Sequence, residues 1–235
     1  MLSSDNISQN IKIVRQEIDA ACKRSGRTIN EVRLVAVSKT VGLSEVEAAV
    51  RASQKDFGEN RTTELQAKAS AFPLQSWHFI GRLQSNKLKD IVGVASLIHS
   101  VAKERTLKVL ADLAGKRGVC QDILIEVNVS GEQSKDGVSA KELLDILMLA
   151  SELDNIIVRG LMTMAPLELG AYKNYDDSAR ATFSALRELR DSMLPEFAGS
   201  SSVCLHELSM GMSDDYAIAV EEGATIVRVG RAIWR

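Results

Sequence analysis

Cysteine is scarce in this sequence, and its spacing excludes two kinds of site. The 235 residues contain three cysteines, Cys22, Cys120 and Cys204, and no Cys-x-x-Cys pair. An odd and scattered set predicts neither a disulfide framework nor a cysteine-based metal site. We therefore expect three reduced thiols.

Long hydrophobic runs are also missing. No uncharged apolar stretch reaches the length of about 20 residues that a helix needs to cross a bilayer. The first ten residues are polar and lack the basic patch and apolar stretch of a secretory signal. These absences predict a cytoplasmic protein that has no membrane partner.

The sequence also lacks an excess of charge of one sign. Lysine and arginine total 29 against 31 aspartates and glutamates, a net charge of -2, and the two signs are interspersed. Nucleic acid is therefore not an expected partner. The histidines, His78, His99 and His206, share no metal-ligand spacing, so we predict no metal site and expect buried, hydrogen-bonded imidazoles.

What the sequence does contain is a regular alternation of short β-branched runs and longer amphipathic stretches. Eight runs are predicted to be strands, at 33–38, 55–58, 77–81, 96–100, 122–129, 156–162, 203–209 and 225–230. Helical patterns follow at 44–52, 61–71, 86–91, 103–116, 140–153, 175–193 and 214–222, and another at 7–25 precedes the first strand.

Eight strand-and-helix units favour a closed parallel barrel, the (β/α)8 or TIM barrel, which typically takes about 250 residues. We predict an α/β fold in which residues 1–235 form one domain and residues 7–25 form an additional N-terminal helix. An open, doubly wound sheet is the competing architecture, but the Gly-x-Gly-x-x-Gly turn that it normally carries is missing. No stretch rich in proline, glycine or serine marks a domain boundary.

Functional side chains of such barrels collect at the carboxyl ends of the strands, and phosphate sites are favoured after the seventh and eighth strands. Lys39 follows the first predicted strand and Asn60 the second, while Ser209 ends the seventh and residues 228–231 end the eighth. A lysine amine fixed at a strand end can form a Schiff base, and glycine-lined backbone can hold a phosphate. Together these features predict pyridoxal phosphate as the cofactor.

Two loops supply the predicted phosphate site. The first has the sequence SMGMSD and starts at Ser209; in it, Ser213 is a candidate N-cap of the next helix, whose N-terminus suits an anion. Asp214 and Asp215 would compete with a phosphate there, so we expect them to point away. In the second loop, Gly230 permits close approach of a ligand to the backbone.

Six groups of residues occur in the order of one known family: LVAVSKT, FGEN, WHFIG followed by LQSNK, RGLM, LSMGMSD and VRVG. By these motifs the chain resembles the pyridoxal phosphate homeostasis protein family, whose fold is similar to the N-terminal barrel of alanine racemases. The resemblance spans nearly the whole length. It implies that Lys39 holds the cofactor as a Schiff base. It also implies that Ser209 and backbone groups around Gly230 and Arg231 bind the phosphate, and that Arg228 faces the pyridine nitrogen.

The arginine assignment restrains the chemistry of the cofactor. Arg228 lies in an apolar run, so its guanidinium needs a buried partner. A guanidinium beside the pyridine nitrogen disfavours protonation of that nitrogen and makes the ring a weaker electron sink. Asn60 is a further candidate contact, near the ring substituents of the cofactor, although a role in the turn or as a helix cap is an equal alternative.

Racemisation by two bases also needs a proton acceptor on the face opposite the lysine. Racemases of similar fold supply a tyrosine from a separate β-domain and a neighbouring subunit, and these 235 residues contain no such domain. The tyrosines, Tyr172, Tyr175 and Tyr216, are expected to serve in packing and hydrogen bonding. We therefore predict no catalytic residues and a monomer.

The favoured hypothesis is a protein that binds pyridoxal 5'-phosphate and serves its intracellular homeostasis by buffering or delivery, with cofactor-dependent apo-enzymes as partners. Two alternatives stay open. One is a pyridoxal phosphate-dependent amino-acid racemase that takes its second base from solvent or a loop. The other is a cofactor-free Schiff-base aldolase that uses Lys39 on a sugar phosphate.

Overall fold

Eight parallel strands close into a barrel in chain order, β1 to β8, as predicted. The computed structural model describes residues 4–129, 136–166, 172 and 174–235. The strands are β1 (Arg33–Val37), β2 (Asp56–Glu59), β3 (Ser76–Phe79), β4 (Leu97–Val101), β5 (Gln121–Glu126), β6 (Ile156–Met162), β7 (Val203–Ser209) and β8 (Ile226–Val229). Pairing of β1 with β8 closes the barrel.

Helices cover the outside of the barrel. They are α1 (Ser4–Arg24), α2 (Leu43–Arg51), α3 (Thr62–Ala71), α4 (Glu104–Lys116), α5 (Leu143–Ser151), α6 (Tyr175–Met193) and α7 (Tyr216–Glu221). The additional helix predicted before the first strand is α1. Its apolar side chains at spacings of three and four, such as Ile7, Ile11, Val14 and Ile18, are buried where it packs beside α2 and α7.

One predicted helix differs from the structure. Residues 86–91 were expected to form an α-helix, but Ser85–Asp90 form a 3₁₀-helix. The segment is six residues long and only Leu88 in it is buried. A single buried side chain provides little packing to hold an α-helix, and Gly93, with a φ of +72°, lies in the turn that follows.

The three cysteines are free thiols, of which Cys22 is buried and Cys120 exposed. Within the described ranges, none of the helices is long and apolar enough to span a membrane. The same part of the chain contains no group of three or more histidine, cysteine, aspartate or glutamate residues placed to hold a metal ion.

The strands bury both of their faces. Outward side chains join the large core beneath the helices, whereas Val35, Leu97, Leu124, Met162 and Ile226 form a separate cluster inside the barrel. Because alternate residues of a strand share a face, His99 and Arg228 point the same way as Leu97 and Ile226. The inward face therefore becomes polar towards the carboxyl ends of the strands.

Gly160, in β6, lies very close to the backbone of β7. A Cβ atom there would lie 1.8 Å from the carbonyl oxygen of Glu207. The register of β6 and β7 shifts between Val158 and Gly160, and Leu205 has a φ of +52°. Beyond this irregularity the two strands continue in register to Ser209. Only glycine fits at position 160, since any side chain would push β7 away.

Candidate functional site

Lys39 lies in the turn that follows β1, at the carboxyl rim of the barrel. Its side chain is exposed, and among the described residues its ammonium has no hydrogen-bond or ion-pair partner. The backbone of the turn is held by the amide of Val41, which donates to the carbonyl of Ser38 over 3.1 Å. Lys39 is thus an unpaired amine on a fixed backbone, where the sequence placed it.

A buried ion pair stands directly behind this turn. The ammonium of Lys68 donates to the carbonyl of Ser38 over 2.8 Å and to Oε1 of Glu59 over 2.7 Å. The Ser38 hydroxyl donates to the same Oε1 atom over 2.6 Å. The side chains of Lys68 and Glu59 are 2% and 0% exposed. The network ties the end of β1 to the end of β2, and so fixes the residues that follow, Lys39 and Asn60.

Asn60 follows β2 at the rim, and its side chain is exposed. Its backbone is in tight contact with the segment that follows β3, because a Cβ atom on Gly81 would lie 2.3 Å from the Asn60 carbonyl oxygen. The hydroxyl of Ser100 in turn donates to the carbonyl of Gly81 over 2.5 Å. The side chain of Asn60 is therefore available to a ligand at the rim.

Arg228 points into the barrel and has the buried partners that its position requires. Its Nη1 donates to Oγ of Ser209 over 2.6 Å, and its Nη2 donates to the carbonyl of Thr163 over 3.0 Å. Burial lowers the pKa of Arg228 to about 10, and the negative charges of Asp215 and Glu126 partly oppose that shift. A cation is thus fixed inside the barrel near its carboxyl end.

Ser209 faces the barrel interior. Its side chain is fully buried, and its hydroxyl contacts Nδ1 of His99 over 2.9 Å in addition to accepting from Arg228. The family resemblance implies that Ser209 binds the phosphate; in the structure its hydroxyl meets two interior side chains, Arg228 and His99.

A different serine meets the second loop. The hydroxyl of Ser213 accepts hydrogen bonds from the backbone amides of Gly230, over 3.2 Å, and Ala232, over 3.4 Å. Two amides and one hydroxyl therefore converge between the two loops. The two amides and the hydroxyl can donate hydrogen bonds to the oxygens of a phosphate instead of bonding to each other.

The prediction that Ser213 caps the next helix is wrong. That helix, α7, begins at Tyr216, and Asp215 precedes it. Asp215 is buried, and its Oδ1 accepts from the amide of Met212 over 2.5 Å. Asp215 therefore stabilises the turn before the helix. Ser213 instead bridges to the second loop, at Gly230. Asp214 is exposed and forms an ion pair with Arg231.

The second loop lies beside the end of β1. A Cβ atom on Gly230 would be 3.4 Å from Cβ of Val37. The indole nitrogen of Trp234 donates to the carbonyl of Val37 over 2.7 Å. Val37 is two residues before Lys39, so the Ser213 bridge and the lysine amine share one side of the rim.

The histidine prediction is confirmed for His78 and His99 and wrong for His206. His78 Nδ1 and His99 Nε2 are 2.9 Å apart, and both side chains are buried. Burial, helped by the neighbouring His78 and Arg228, holds the pKa of His99 well below its usual 6.5. His206 follows Leu205, the residue of β7 with a positive φ, and is exposed.

Two tyrosines have the packing and hydrogen-bonding roles expected of them. The hydroxyl of Tyr175 donates to Oδ2 of Asp215 over 2.6 Å, and that of Tyr216 donates to Glu17. Burial and these carboxylates raise the pKa of both phenols. Tyr172 is 45% exposed.

The donors of this rim fit a small anion that carries an electrophilic carbon. Lys39 offers a nucleophilic nitrogen, and the amides and hydroxyl around Ser213 offer hydrogen bonds to an anion. Arg228 adds a fixed cation in the barrel interior. Pyridoxal phosphate, which has an aldehyde, a phosphate and a ring nitrogen, fits all three features.

Comparison with known proteins agrees with this geometry. The family model described as "Alanine racemase, N-terminal domain" matches residues 2–235. A protein of Aquifex aeolicus called "Pyridoxal phosphate homeostasis protein" is 40% identical over 231 residues, which cover 97% of each chain. The structure of PipY from Synechococcus elongatus with PLP bound has a TM-score of 0.83 at 31% identity, over 97% of this chain and 100% of that one.

An alanine racemase of Clostridium difficile shares the fold at lower similarity. Its TM-score is 0.73 at 13% identity, and the match covers 98% of this chain and 56% of that one. The present chain therefore shares its fold with slightly more than half of that longer chain.

Proposed function

We propose a function from the premise that the chain belongs to the pyridoxal phosphate homeostasis protein family: it binds pyridoxal 5'-phosphate and holds it for cellular homeostasis. One observation carries the proposal. The unpaired amine of Lys39 and the amides gathered at Ser213 lie at the ends of neighbouring strands, β1 and β8, on one side of the rim. PipY, a relative of known structure, has been solved with PLP bound.

In this proposal Lys39 is the lysine that tethers the cofactor. The cofactor supplies an aldehyde, to whose carbon the amine nitrogen of Lys39 adds. Loss of one water leaves a carbon–nitrogen double bond, the Schiff base. Because the bond forms with release of water, it can also be reversed by water, which suits a protein that must release its cargo.

The phosphate is assigned to the Ser213 hydroxyl and the backbone amides of residues 230–232. Ser209 is reassigned from phosphate binding to holding Arg228, since its hydroxyl already meets Arg228 and His99. Arg231 contributes through its backbone, because its guanidinium pairs with Asp214. Asn60 keeps its proposed contact near the ring substituents.

Arg228 is assigned to the pyridine nitrogen. A guanidinium cannot accept a proton from that nitrogen, and its charge disfavours a second positive charge beside it. The ring then remains a weak electron sink, which lowers its capacity to stabilise a carbanion. This assignment supports a carrier with little or no catalysis, as does the name given to the related proteins.

The proposal extends to three further points: a cytoplasmic location, a monomeric state and delivery of the cofactor to apo-enzymes that depend on it. Sedimentation of the loaded protein tests the second point. Activation of a purified apo-enzyme by loaded protein, in the presence of a trap for free cofactor, tests the third.

Titration of the ligand-free protein with pyridoxal phosphate tests the function itself. We expect one equivalent to bind, with a change in the visible absorption of the cofactor. The loaded protein should not exchange the α-proton of amino acids in heavy water. Rapid exchange would instead support the racemase alternative, and failure to bind would refute the proposal.

A further inference from the structure

A chain of buried polar groups crosses the interior of the barrel. Asp56, at the start of β2, lies with Oδ1 3.3 Å from Nε2 of His78. Nδ1 of His78 lies 2.9 Å from Nε2 of His99, whose Nδ1 lies 2.9 Å from Oγ of Ser209. Ser209 accepts from Arg228 over 2.6 Å. His78, His99 and Ser209 are 0% exposed, and the chain begins at the opposite end of the barrel from the proposed cofactor site.

The two ends of this chain limit the directions of its hydrogen bonds. A guanidinium only donates, so Ser209 accepts from Arg228, and we assign the proton of its hydroxyl to the contact with Nδ1 of His99. His99 is neutral, because burial holds its pKa well below the usual value. With this assignment the single proton of His99 is on Nε2, from which it is donated to Nδ1 of His78. Nε2 of His78 faces the carboxylate of Asp56 over 3.3 Å and the hydroxyl of Ser76 over 3.4 Å.

The interior of such a barrel is usually filled by branched apolar side chains. Two imidazoles, a hydroxyl and a guanidinium are costly there unless each is hydrogen-bonded. In this chain each of these side chains has a hydrogen-bond partner, and a buried network of hydrogen bonds favours one arrangement of its members over others. What the arrangement fixes is the guanidinium of Arg228.

We propose that His78 and His99 are positioning residues for Arg228: acting through Ser209 and oriented by Asp56, they hold the guanidinium toward the ring nitrogen of the bound cofactor. The inference rests on the proposed function, because it needs a cofactor whose ring nitrogen meets Arg228. By this inference, residues at the amino end of the barrel act together with the cofactor site at its carboxyl end.

The first experiment uses the ligand-free wild-type protein. Side-chain ¹H–¹⁵N correlation spectra report which imidazole nitrogen carries the proton. We expect His99 to be protonated on Nε2 alone. A proton on Nδ1 of His99, or on both of its nitrogens at neutral pH, would overturn the chain even if the cofactor binds.

Variants then test whether the chain reaches Arg228. Ser209→Ala should shift the Nδ1 resonance of His99, because that nitrogen loses its donor, whereas Ser209→Thr keeps a hydroxyl and should keep the wild-type pattern. His206→Gln, at an exposed position outside the chain, should leave the resonances of His78 and His99 unchanged. An unshifted His99 resonance in Ser209→Ala would contradict the link.

The last experiment measures the ring-nitrogen resonance and the affinity of the bound cofactor. With ¹⁵N-labelled pyridoxal phosphate, Ser209→Ala and His99→Phe should move the ring-nitrogen resonance and weaken binding by roughly tenfold, the value of one good hydrogen bond. Wild-type resonance and affinity in both variants would overturn the positioning role. If His99→Phe fails to fold, Ser209→Ala decides alone. Absence of binding to the wild type would refute the proposed function and leave the proton positions to be judged by the first experiment.

Discussion

The ammonium of Lys68 donates to the main-chain carbonyl of Ser38 over 2.8 Å, which places a buried cation directly behind the turn that carries Lys39. The same ammonium pairs with Glu59, and both charged groups are almost completely inaccessible to solvent. Breaking a buried pair by removing one partner leaves the other charge without compensation. Lys68→Met should therefore lower the free energy of unfolding by about 3–5 kcal/mol, measured by urea denaturation.

Two further variants make the Lys68 result specific. Lys108→Met, which removes an exposed helical lysine 3.8 Å from Glu104, should change stability by no more than about 0.5 kcal/mol. The double variant Glu59→Gln/Lys68→Met should lose less than the two single variants together, because neither buried charge remains. Additive losses would show that the two residues do not act as a pair.

Ser213→Ala should weaken the binding of pyridoxal phosphate and leave that of pyridoxal, which has no phosphate, nearly unchanged. The hydroxyl of Ser213 is the point on which the amides of Gly230 and Ala232 converge. Loss of one charge-assisted hydrogen bond corresponds to about 1.5–3 kcal/mol. Fluorescence titration with the two ligands measures the difference. Ser192→Ala, on the exposed face of α6, is the matched control, and equal weakening for both ligands would argue against a phosphate contact.

Gly211→Ala should destabilise the first loop through both its backbone and its side chain. Gly211 has a φ of +91°, and an added Cβ would lie 2.5 Å from Cβ of Ala219. Gly26→Ala is a control for the backbone effect alone, because its φ is +69° and nothing lies within 4 Å of the added atom. The control should cost about 1 kcal/mol, and Gly211→Ala should cost more. Equal losses in thermal denaturation would mean that the loop accommodates the methyl group.

Stability should fall in weak acid because of His99. The pKa of His99 in the folded protein lies well below the usual 6.5, so below that pH the unfolded chain binds one more proton than the folded chain. This lowers the free energy of unfolding by up to about 1.4 kcal/mol for each pH unit below the usual value, until the folded-state pKa is reached.

His99→Gln isolates this effect, because the other titrating groups are common to both proteins. The difference in unfolding free energy between wild type and variant should shrink as the pH falls from 7 to 5, by up to about 1.4 kcal/mol for each pH unit below the usual pKa. Urea denaturation at several pH values measures it. A difference that does not depend on pH would mean that His99 is not held neutral in the folded protein.

The fold and the position of the lysine could be predicted from the sequence because both depend on simple patterns. Alternation of strand and helix patterns predicted the barrel, and a lysine immediately after a buried run had to lie at the carboxyl rim. Arg228 in an apolar run predicted a buried cation that needs hydrogen-bond partners. The structure supplies them in Ser209 and Thr163. Each of these inferences uses only residues that are adjacent in sequence, or the alternation of side chains along one strand.

What could not be predicted depends on contacts between distant elements. Ser213 reads as a helix cap, but the bridge to Gly230 is visible only once the two loops meet. Lys68 has the sequence context of an exposed helical residue, and only the structure shows that its ammonium pairs with the buried Glu59. A glutamate at the end of an apolar strand was the one available signal, since a carboxylate is almost never fully buried without a partner.

Reduction of the loaded protein with borohydride, followed by peptide mass mapping, tests the central claim most directly. Reduction makes the carbon–nitrogen bond permanent at whichever lysine carries the cofactor. Our account predicts a pyridoxyl group on Lys39 and its absence from the Lys39→Ala variant. A modified lysine elsewhere in the wild-type chain, with Lys39 unmodified, would contradict the account.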